Sequence, residues 1–379
     1  MNDFETRPNP KLVYGAGKLA ELPRCVQELG LKKVLLVTDA GIVAAGHVGR
    51  AQEALEKEGI ETVVFEGAHM NPTESDIAEC REFAEGVKPD GLIGLGGGSS
   101  MDTAKGCNFL LSSGGTMSDY RGYGLAKSEM LPFIAVPTTA GTGSECQSYA
   151  VVSQDESHVK MACGDPRALA KVAILDPELT VSQPASVAAL TALDALSHAL
   201  ESAVSTKRNP LSQIYSKEAF RLIASGIEMV LQGAALMEHR GNVMLGAAMA
   251  GLAIENSMLG AAHAAANPLT ARFDIPHGEA VSLMLPAVLR YNREHSSAAA
   301  VYLELSALIH EPLVEWVEQV IALAGLPGLS AAGVTEKEIP ELAKEAAAQW
   351  TGQFNPRAIS EAEFANIYLE ALKSEEVVA

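Results

Sequence analysis

Through the first half of the chain, short apolar runs alternate with stretches of helical spacing. Lys32–Asp39 (KKVLLVTD) is a Val- and Leu-rich run ending in an acid, the pattern of a buried parallel strand. Gly49–Gly59 (GRAQEALEKEG) has helical spacing and a closing glycine, which predicts a helix. Ile60–Gly67 reads as strand, and Thr73–Asp90 as helix with Thr73 at the N-cap and Glu74 and Asp76 in the first turn. Gly91–Gly98 (GLIGLGGG) is strand into turn, and Leu131–Thr139 (LPFIAVPTT) is a further strand. Strand and helix taking turns predicts βαβ units and a parallel sheet covered on both faces.

The pattern changes near Ser182. Strand signals fade, and Ala- and Leu-rich helical segments follow at 185–203, 210–232, 240–256, 281–293, 298–324 and 336–349. Pro184 suits a helix start, where its missing N–H costs nothing. The expected organisation is an α/β domain over 1–184 and an all-α domain over 185–379, with the final SEEVVA a frayed tail.

Hydrophobic residues make up 48% of the chain and charged residues 20%, enough apolar material for a sizeable core. The formal net charge of -19 argues against nucleic acid or an anionic membrane as partner. MNDFETRPNPKLVYG shows no basic start followed by an apolar core, so no secretory signal is expected. No apolar run free of charge is long enough to predict a membrane span. The five cysteines are scattered without a C-x-x-C pair, which points to free thiols in a reducing cytoplasm.

Two glycine-rich turns carry the first candidate chemistry. GLGGGSSMDTAK (Gly94–Lys105) follows an apolar strand and opens a helix. Bare backbone there lets N–H groups approach a phosphate at a helix N-terminus; a purely structural turn is the alternative. The stretch is not a Walker A loop, and it matches G-x-G-x-x-G poorly. VPTTAGTGSE (Val136–Glu145) also follows a strand and supplies Thr138, Thr139, Thr142 and Ser144. Two such turns on parallel strands share the sheet edge where open α/β folds bind ligands. Asp39 ends an earlier strand, where its carboxylate can accept from both ribose hydroxyls of an adenosine and repel a 2′-phosphate, favouring NAD over NADP. A helix cap or surface acid is the other reading of Asp39.

LTALDALSHALES places Asp194 and His198 four apart on one helical face. Thirteen residues separate His263 from His277, which follows a proline in Pro-His-Gly at a loop or helix start. Each pair alone is compatible with ordinary polar positions. One Asp and three His together make an N/O set for one divalent ion, with Fe²⁺, Zn²⁺, Co²⁺ and Mn²⁺ all open.

GGGSSMDTAK, PTTAGTGSE, the Asp-x3-His helix, the His pair ending in PHG, and NPR (Asn355–Arg357) together resemble the iron-containing, group III alcohol dehydrogenases, over nearly the whole chain. The resemblance implies a Rossmann-like dinucleotide-binding domain and a helical metal-binding domain, with the active site in the cleft between them. It implies hydride transfer between NAD(H) and a small alcohol, diol or aldehyde. One divalent metal per chain, Fe²⁺ first, acts as Lewis acid. A homodimer is also implied. Carried over by residue, Asp194, His198, His263 and His277 hold the metal, and Gly97, Gly98 and Ser99 hold the pyrophosphate. Asp39, Asn71, Asp102, Thr138, Thr139, Thr142, Ser144, Val151, Lys160 and Leu179 fall at cofactor positions. Tyr149, Val151, Ile254 and Leu259 fall where members shape the nicotinamide and substrate pocket. His277 and Asn267 stand beside the reacting group.

Asn267 departs from the pattern, since many relatives carry His there. An amide can bind a substrate but cannot exchange a proton, so water or cofactor hydroxyls would carry it. A second reading makes Asn267 the cap of a helix around NPLTARF with Pro268 in its first turn. Two other functions are weighed. A lyase similar to dehydroquinate synthase would need Lys and Arg grouped at the site, but 185–300 carries only eight, none beside the expected ligands. A non-catalytic assembly protein on the same fold would not need the ligand positions intact.

Overall fold

The computed structural model describes residues 4–156 and 159–378. The described residues divide into two compact units, Arg7–Gln183 and a second running from Pro184 onward together with residues 4–6.

The first unit is α/β. Its elements are β1 (Lys11–Tyr14), α1 (Leu22–Glu28), β2 (Lys33–Val37), α2 (Ala40–Ala44), α3 (His47–Lys57), β3 (Glu61–Phe65), α4 (Glu74–Val87), β4 (Gly91–Gly96), α5 (Gly98–Ser113), β5 (Gly122–Tyr123), β6 (Phe133–Pro137), β7 (Tyr149–Ser153), β8 (Lys160–Gly164) and β9 (Val172–Leu175). Six strands form one parallel sheet in the order β1-β9-β6-β4-β2-β3. Alternation sends Val34 and Leu36 of β2 and Ile93 and Leu95 of β4 to one face, where they meet Cys25 and Val26 of α1 and Val48, Ala51 and Leu55 of α3. On α4, Thr73 closes a capping box with Asp76. The patterning did not foretell the small sheet β5-β8-β7, whose β7 and β8 pair antiparallel.

The sheet order sets a switch point. From β2 the chain crosses to β3 on one side, and from the adjacent β4 it crosses to β6 on the other. The carboxyl ends of β2 and β4 therefore flank the crevice where open α/β sheets take ligands. Asp39 follows β2 and Gly97 follows β4.

The second unit is all helical among the described residues: α6 (Ala185–Val204), α7 (Pro210–Ala224), α8 (Ile227–Leu231), α9 (Met237–Glu255), α10 (Ala261–Phe273), α11 (His277–Asn292), α12 (Ser296–Ile309), α13 (Leu313–Ala324), α14 (Ile339–Ala347) and α15 (Glu361–Val378). By length and composition α6 could cross a membrane, but 83% of its apolar window is buried inside the fold, as in a core helix. Two expected helices are each two. The 210–232 segment breaks at Gly226, where a Cβ would lie 2.6 Å from the His239 carbonyl oxygen. The 298–324 segment breaks at His310, which takes φ 60°, ahead of Pro312. Helix α10 was missing from the expected set and carries Pro268 in its interior. The expected frayed tail is helical through Val378, and Ala379 lies outside the described residues.

Candidate active site

The first glycine turn is built for close approach. Gly96 has φ 155°, and a Cβ there would lie 2.3 Å from Ser100 Oγ. Gly97 is the N-cap of α5 and offers no side-chain cap. The N–H groups of Gly98, Ser99 and Ser100 therefore lack intrahelical acceptors, at the positive end of a 16-residue helix. The second turn lies alongside. A Cβ on Gly98 would fall 2.8 Å from Thr142 Cγ2, and one on Gly97 would fall 3.5 Å from Thr139 Cγ2. Thr138 is buried, and its hydroxyl makes no hydrogen bond among the described residues. Bare backbone, uncapped donors and an unused hydroxyl suit a pyrophosphate.

Asp39 does two jobs. Its Oδ1 accepts from the N–H groups of Gly41 (2.9 Å) and Ile42 (3.1 Å), capping α2, and its Oδ2 accepts from Ser100 Oγ at 3.3 Å. Both readings of the residue thus fit one carboxylate, because lone pairs remain for a ribose. The Ser100 contact ties the acid to the glycine turn and was not anticipated.

Asp102 gathers several expected cofactor positions. Its carboxylate accepts from Ser144 Oγ at 2.8 Å and from the Val151 backbone N–H, with the Lys160 charge nearby. Burial pushes it up to about 6, against the pull of Lys105 and of these hydrogen bonds. Lys105, overlooked in the sequence, is buried. Its Nζ donates to the Ser144 carbonyl (2.6 Å), Ser144 Oγ (2.8 Å) and the Gln147 (2.8 Å) and Tyr149 (2.9 Å) carbonyls, clamping α5 to the second turn. Asn71 is exposed with φ 53° in the segment before α4, and the carbonyl of the next residue, Pro72, accepts from the Ser153 N–H of β7 at 2.8 Å. Leu179 is buried in the core cluster that joins the sheet to α1 and α3.

In the helical unit, α6 carries Asp194 and His198 one turn apart, α10 carries His263 near its start, and His277 opens α11. Gly278 explains the Pro-His-Gly signal. A Cβ there would lie 2.4 Å from the Leu190 carbonyl oxygen, so glycine lets α11 begin against α6 one turn before Asp194. One ligand atom each from Asp194, His263 and His277 lie within 4.8 Å of one another. His198 is outside that tight set, but its Nε2 is 3.4 Å from Asp194 Oδ1 and its ring stacks on His263 at 4.8 Å. Ligands bound about 2.0–2.2 Å from one ion stand up to about 4.4 Å apart, so little contraction is needed.

The electrostatics fit a cation. Asp194 Oδ1 and His263 Nε2 are buried without a hydrogen-bond partner among the described residues, 3.6 Å from each other. Burial alone would raise Asp194, yet His198, His263 and His277 hold its carboxyl well below the usual range. Burial pulls His263 down, but the Glu201 and Asp194 carboxylates outweigh it and raise the imidazole to about 9. Glu201 escaped the sequence reading although it continues the Asp194–His198 face of α6, seven residues after Asp194.

Asn267 sits in the interior of α10, one turn after His263, and its Nδ2 donates to Gln349 Oε1 at 3.1 Å. The capping alternative fails, because α10 starts at Ala261 and Pro268 lies inside it. Ile254 is buried at the end of α9, and Leu259 is half-buried just before Gly260.

The sequence model of iron-containing alcohol dehydrogenases matches residues 9–177, and that of the family's C-terminal region matches residues 188–372. The chain is 31% identical over 374 residues to the NAD-dependent methanol dehydrogenase of Bacillus methanolicus, covering 96% of this chain and 98% of that one. It is 32% identical over 373 residues to the 1,3-propanediol dehydrogenase of Klebsiella pneumoniae, covering 94% and 96%. An alcohol dehydrogenase structure from Oenococcus oeni superposes with a TM-score of 0.92 at 29% identity, over 97% of this chain and all of that one. The chain belongs to the iron-containing alcohol dehydrogenase family and is a metal- and NAD-dependent oxidoreductase of alcohols or aldehydes.

Proposed function

We propose that this enzyme transfers hydride between NAD(H) and a small alcohol, diol or aldehyde. Asp194, His198, His263 and His277 hold one divalent metal, Fe²⁺ by family likeness. The N–H groups from Gly98 to Ser100 take the pyrophosphate between the two glycine turns, and Asp39 takes the adenosine ribose. The observation that carries this reading is the buried N/O cluster with two orphaned atoms, Asp194 Oδ1 and His263 Nε2. When bound, the metal supplies Lewis acidity at the substrate oxygen and the nicotinamide accepts or supplies the hydride. Asp194, His198 and His263 are buried, which keeps water from their other faces, while His277 is half-buried. Short alcohols, diols and aldehydes, followed by NADH absorbance with and without Fe²⁺, Zn²⁺ or Mn²⁺, test the proposal. No metal-dependent turnover across the panel would refute it. The five cysteines are all buried, and their scattered spacing suits thiols in a reducing cytoplasm; a homodimer is proposed on family likeness.

Asp39 gives a cofactor prediction. Asp39→Asn keeps the cap on α2 while removing the charge that repels a 2′-phosphate. The NAD-over-NADP ratio of kcat/KM is expected to narrow about 10-fold or more, since like charges in contact cost several kcal/mol. Wild-type preference for NADP would sink the assignment.

Asn267 binds rather than exchanges protons in this scheme. Asn267→Ala is expected mainly to raise KM, with a stability change of about 1 kcal/mol from the lost Gln349 contact. Asn267→His should add a group titrating near pH 6.5 to the rate profile. A fall in kcat by orders of magnitude, with KM and Tm intact, would put the amide in the chemical step instead.

A further inference from the structure

Glu201 lies wholly inside the helical unit, 4% exposed, on the same face of α6 as Asp194 and His198. Its carboxylate is fully engaged across to α10. Oε2 accepts from His263 Nδ1 at 2.6 Å and from the Gly260 N–H at 3.1 Å, and Oε1 accepts from the Ala262 N–H at 2.6 Å. Gly260 and Ala262 stand at the start of α10, which has no side-chain cap of its own. Glu201 therefore caps α10 from a neighbouring helix, in the position where a negative charge is favoured. Gly260 permits the approach, since a Cβ there would come within 3.0 Å of Glu201 Oε1.

The same three bonds decide what His263 can do. An acceptor-only carboxylate at Nδ1 requires the proton on that nitrogen. Nε2, which has no hydrogen-bond partner among the described residues and lies 3.6 Å from Asp194 Oδ1, is then the nitrogen aimed into the cluster. We propose that Glu201 is the positioning residue of the metal site: by holding His263 Nδ1–H and the first turn of α10 together, it fixes the Nε2-ligating tautomer and the ring's direction. The assignment rests on His263 being a metal ligand. An outer carboxylate on a ligating imidazole also makes it a better donor, and losing such a partner costs about 10–100-fold in metal affinity.

The test uses the full-length protein stripped by chelation and Zn²⁺ alone as probe, titrated in competition with a chromogenic chelator. Glu201→Gln keeps the side chain's shape but turns an NH₂ toward one of three donors. It is expected to raise the Zn²⁺ dissociation constant about 10–100-fold, and to alter the visible spectrum of the Co²⁺-loaded protein, which reports ligand geometry. Equal affinity and an unchanged Co²⁺ spectrum in the folded variant would overturn the proposal while leaving the metal reading intact. A wild type that takes up no Zn²⁺ would overturn both. Should Glu201→Gln fail to fold, ¹⁵N-histidine spectra of the wild type decide. His263 is expected to keep its Nδ1 proton when Zn²⁺ is added and to shift at Nε2; zinc on Nδ1 would refute the assignment.

Discussion

His263→Ala is expected to lose nearly all bound metal, to lower kcat/KM about 1,000-fold or more, and to destabilise the metal-free protein. Lewis-acid stabilisation is worth several kcal/mol in the transition state, and each 1.36 kcal/mol is tenfold in rate. The sequence alone suggests a ligand whose removal spares the fold, but burial changes that expectation. His263 is 3% exposed between the Asp194 and Glu201 carboxylates, so truncation leaves two buried acids without their shared partner. Removing one member of such a buried set costs about 3–5 kcal/mol. His277 is only half-buried, so His277→Ala should lose metal with a smaller change in Tm. Elemental analysis beside thermal unfolding of stripped protein separates the two effects. Full metal content in both variants would remove these residues from the site.

The pH dependence of the stripped wild type has a defined sign. His263 is raised from 6.5 to about 9 in the folded chain, so its contribution is complete below pH 6.5 and is lost as pH rises through about 9. Asp194 is depressed below 3.8, so its contribution is present above that value and is lost as pH falls through the depressed one. The stripped protein should therefore lose Tm between about pH 6.5 and 9, a loss that His263→Ala should lack. A Tm flat across that range in the wild type would contradict the charge arrangement of the cluster.

Local signals made much of this architecture legible. The β2, β3, β4 and β6 runs are apolar and short, and Thr73 announces α4 with a hydroxyl cap. Asp194 and His198 are readable as a pair because helical spacing alone puts them on one face. What failed was set by contacts distant in sequence. The break at Gly226 exists because α9 passes close by, and nothing local records that. Helix α10 is small-residue-rich and buried at nearly every position up to Leu269, so it lacks a polar stripe, and Pro268 reads as a stop. Lys105 and Glu201 are charged residues deep in the protein, where composition places them last. Only the oxygens around Lys105 and the three N–H donors around Glu201 account for them.

Gly98→Val is expected to weaken NAD binding about 10–100-fold and to leave metal content unchanged. Gly98 opens α5, and its N–H is one of the uncapped donors at the carboxyl end of β4. The first carbon of any side chain there falls 2.8 Å from Thr142 Cγ2 and 2.9 Å from Thr142 Oγ1. Thr142 can rotate away from a single methyl, but a branched side chain fills the space between the two turns that a pyrophosphate would occupy. Losing one hydrogen bond to a charged group costs about 1.5–3 kcal/mol, which sets the expected range. Gly86→Ala is the control. It lies inside α4, a Cβ there meets nothing within 4 Å, and it should leave NAD binding untouched while stabilising the helix. The metal ligands all belong to the helical unit, so the Zn²⁺ affinity of Gly98→Val separates a local block from general damage. An unchanged NAD dissociation constant in a folded Gly98→Val protein would show that the pyrophosphate lies elsewhere, leaving the glycines of this turn to serve only the close packing of α5 on β4, where Gly94 already admits the Met101 backbone within 3.2 Å of where its Cβ would be.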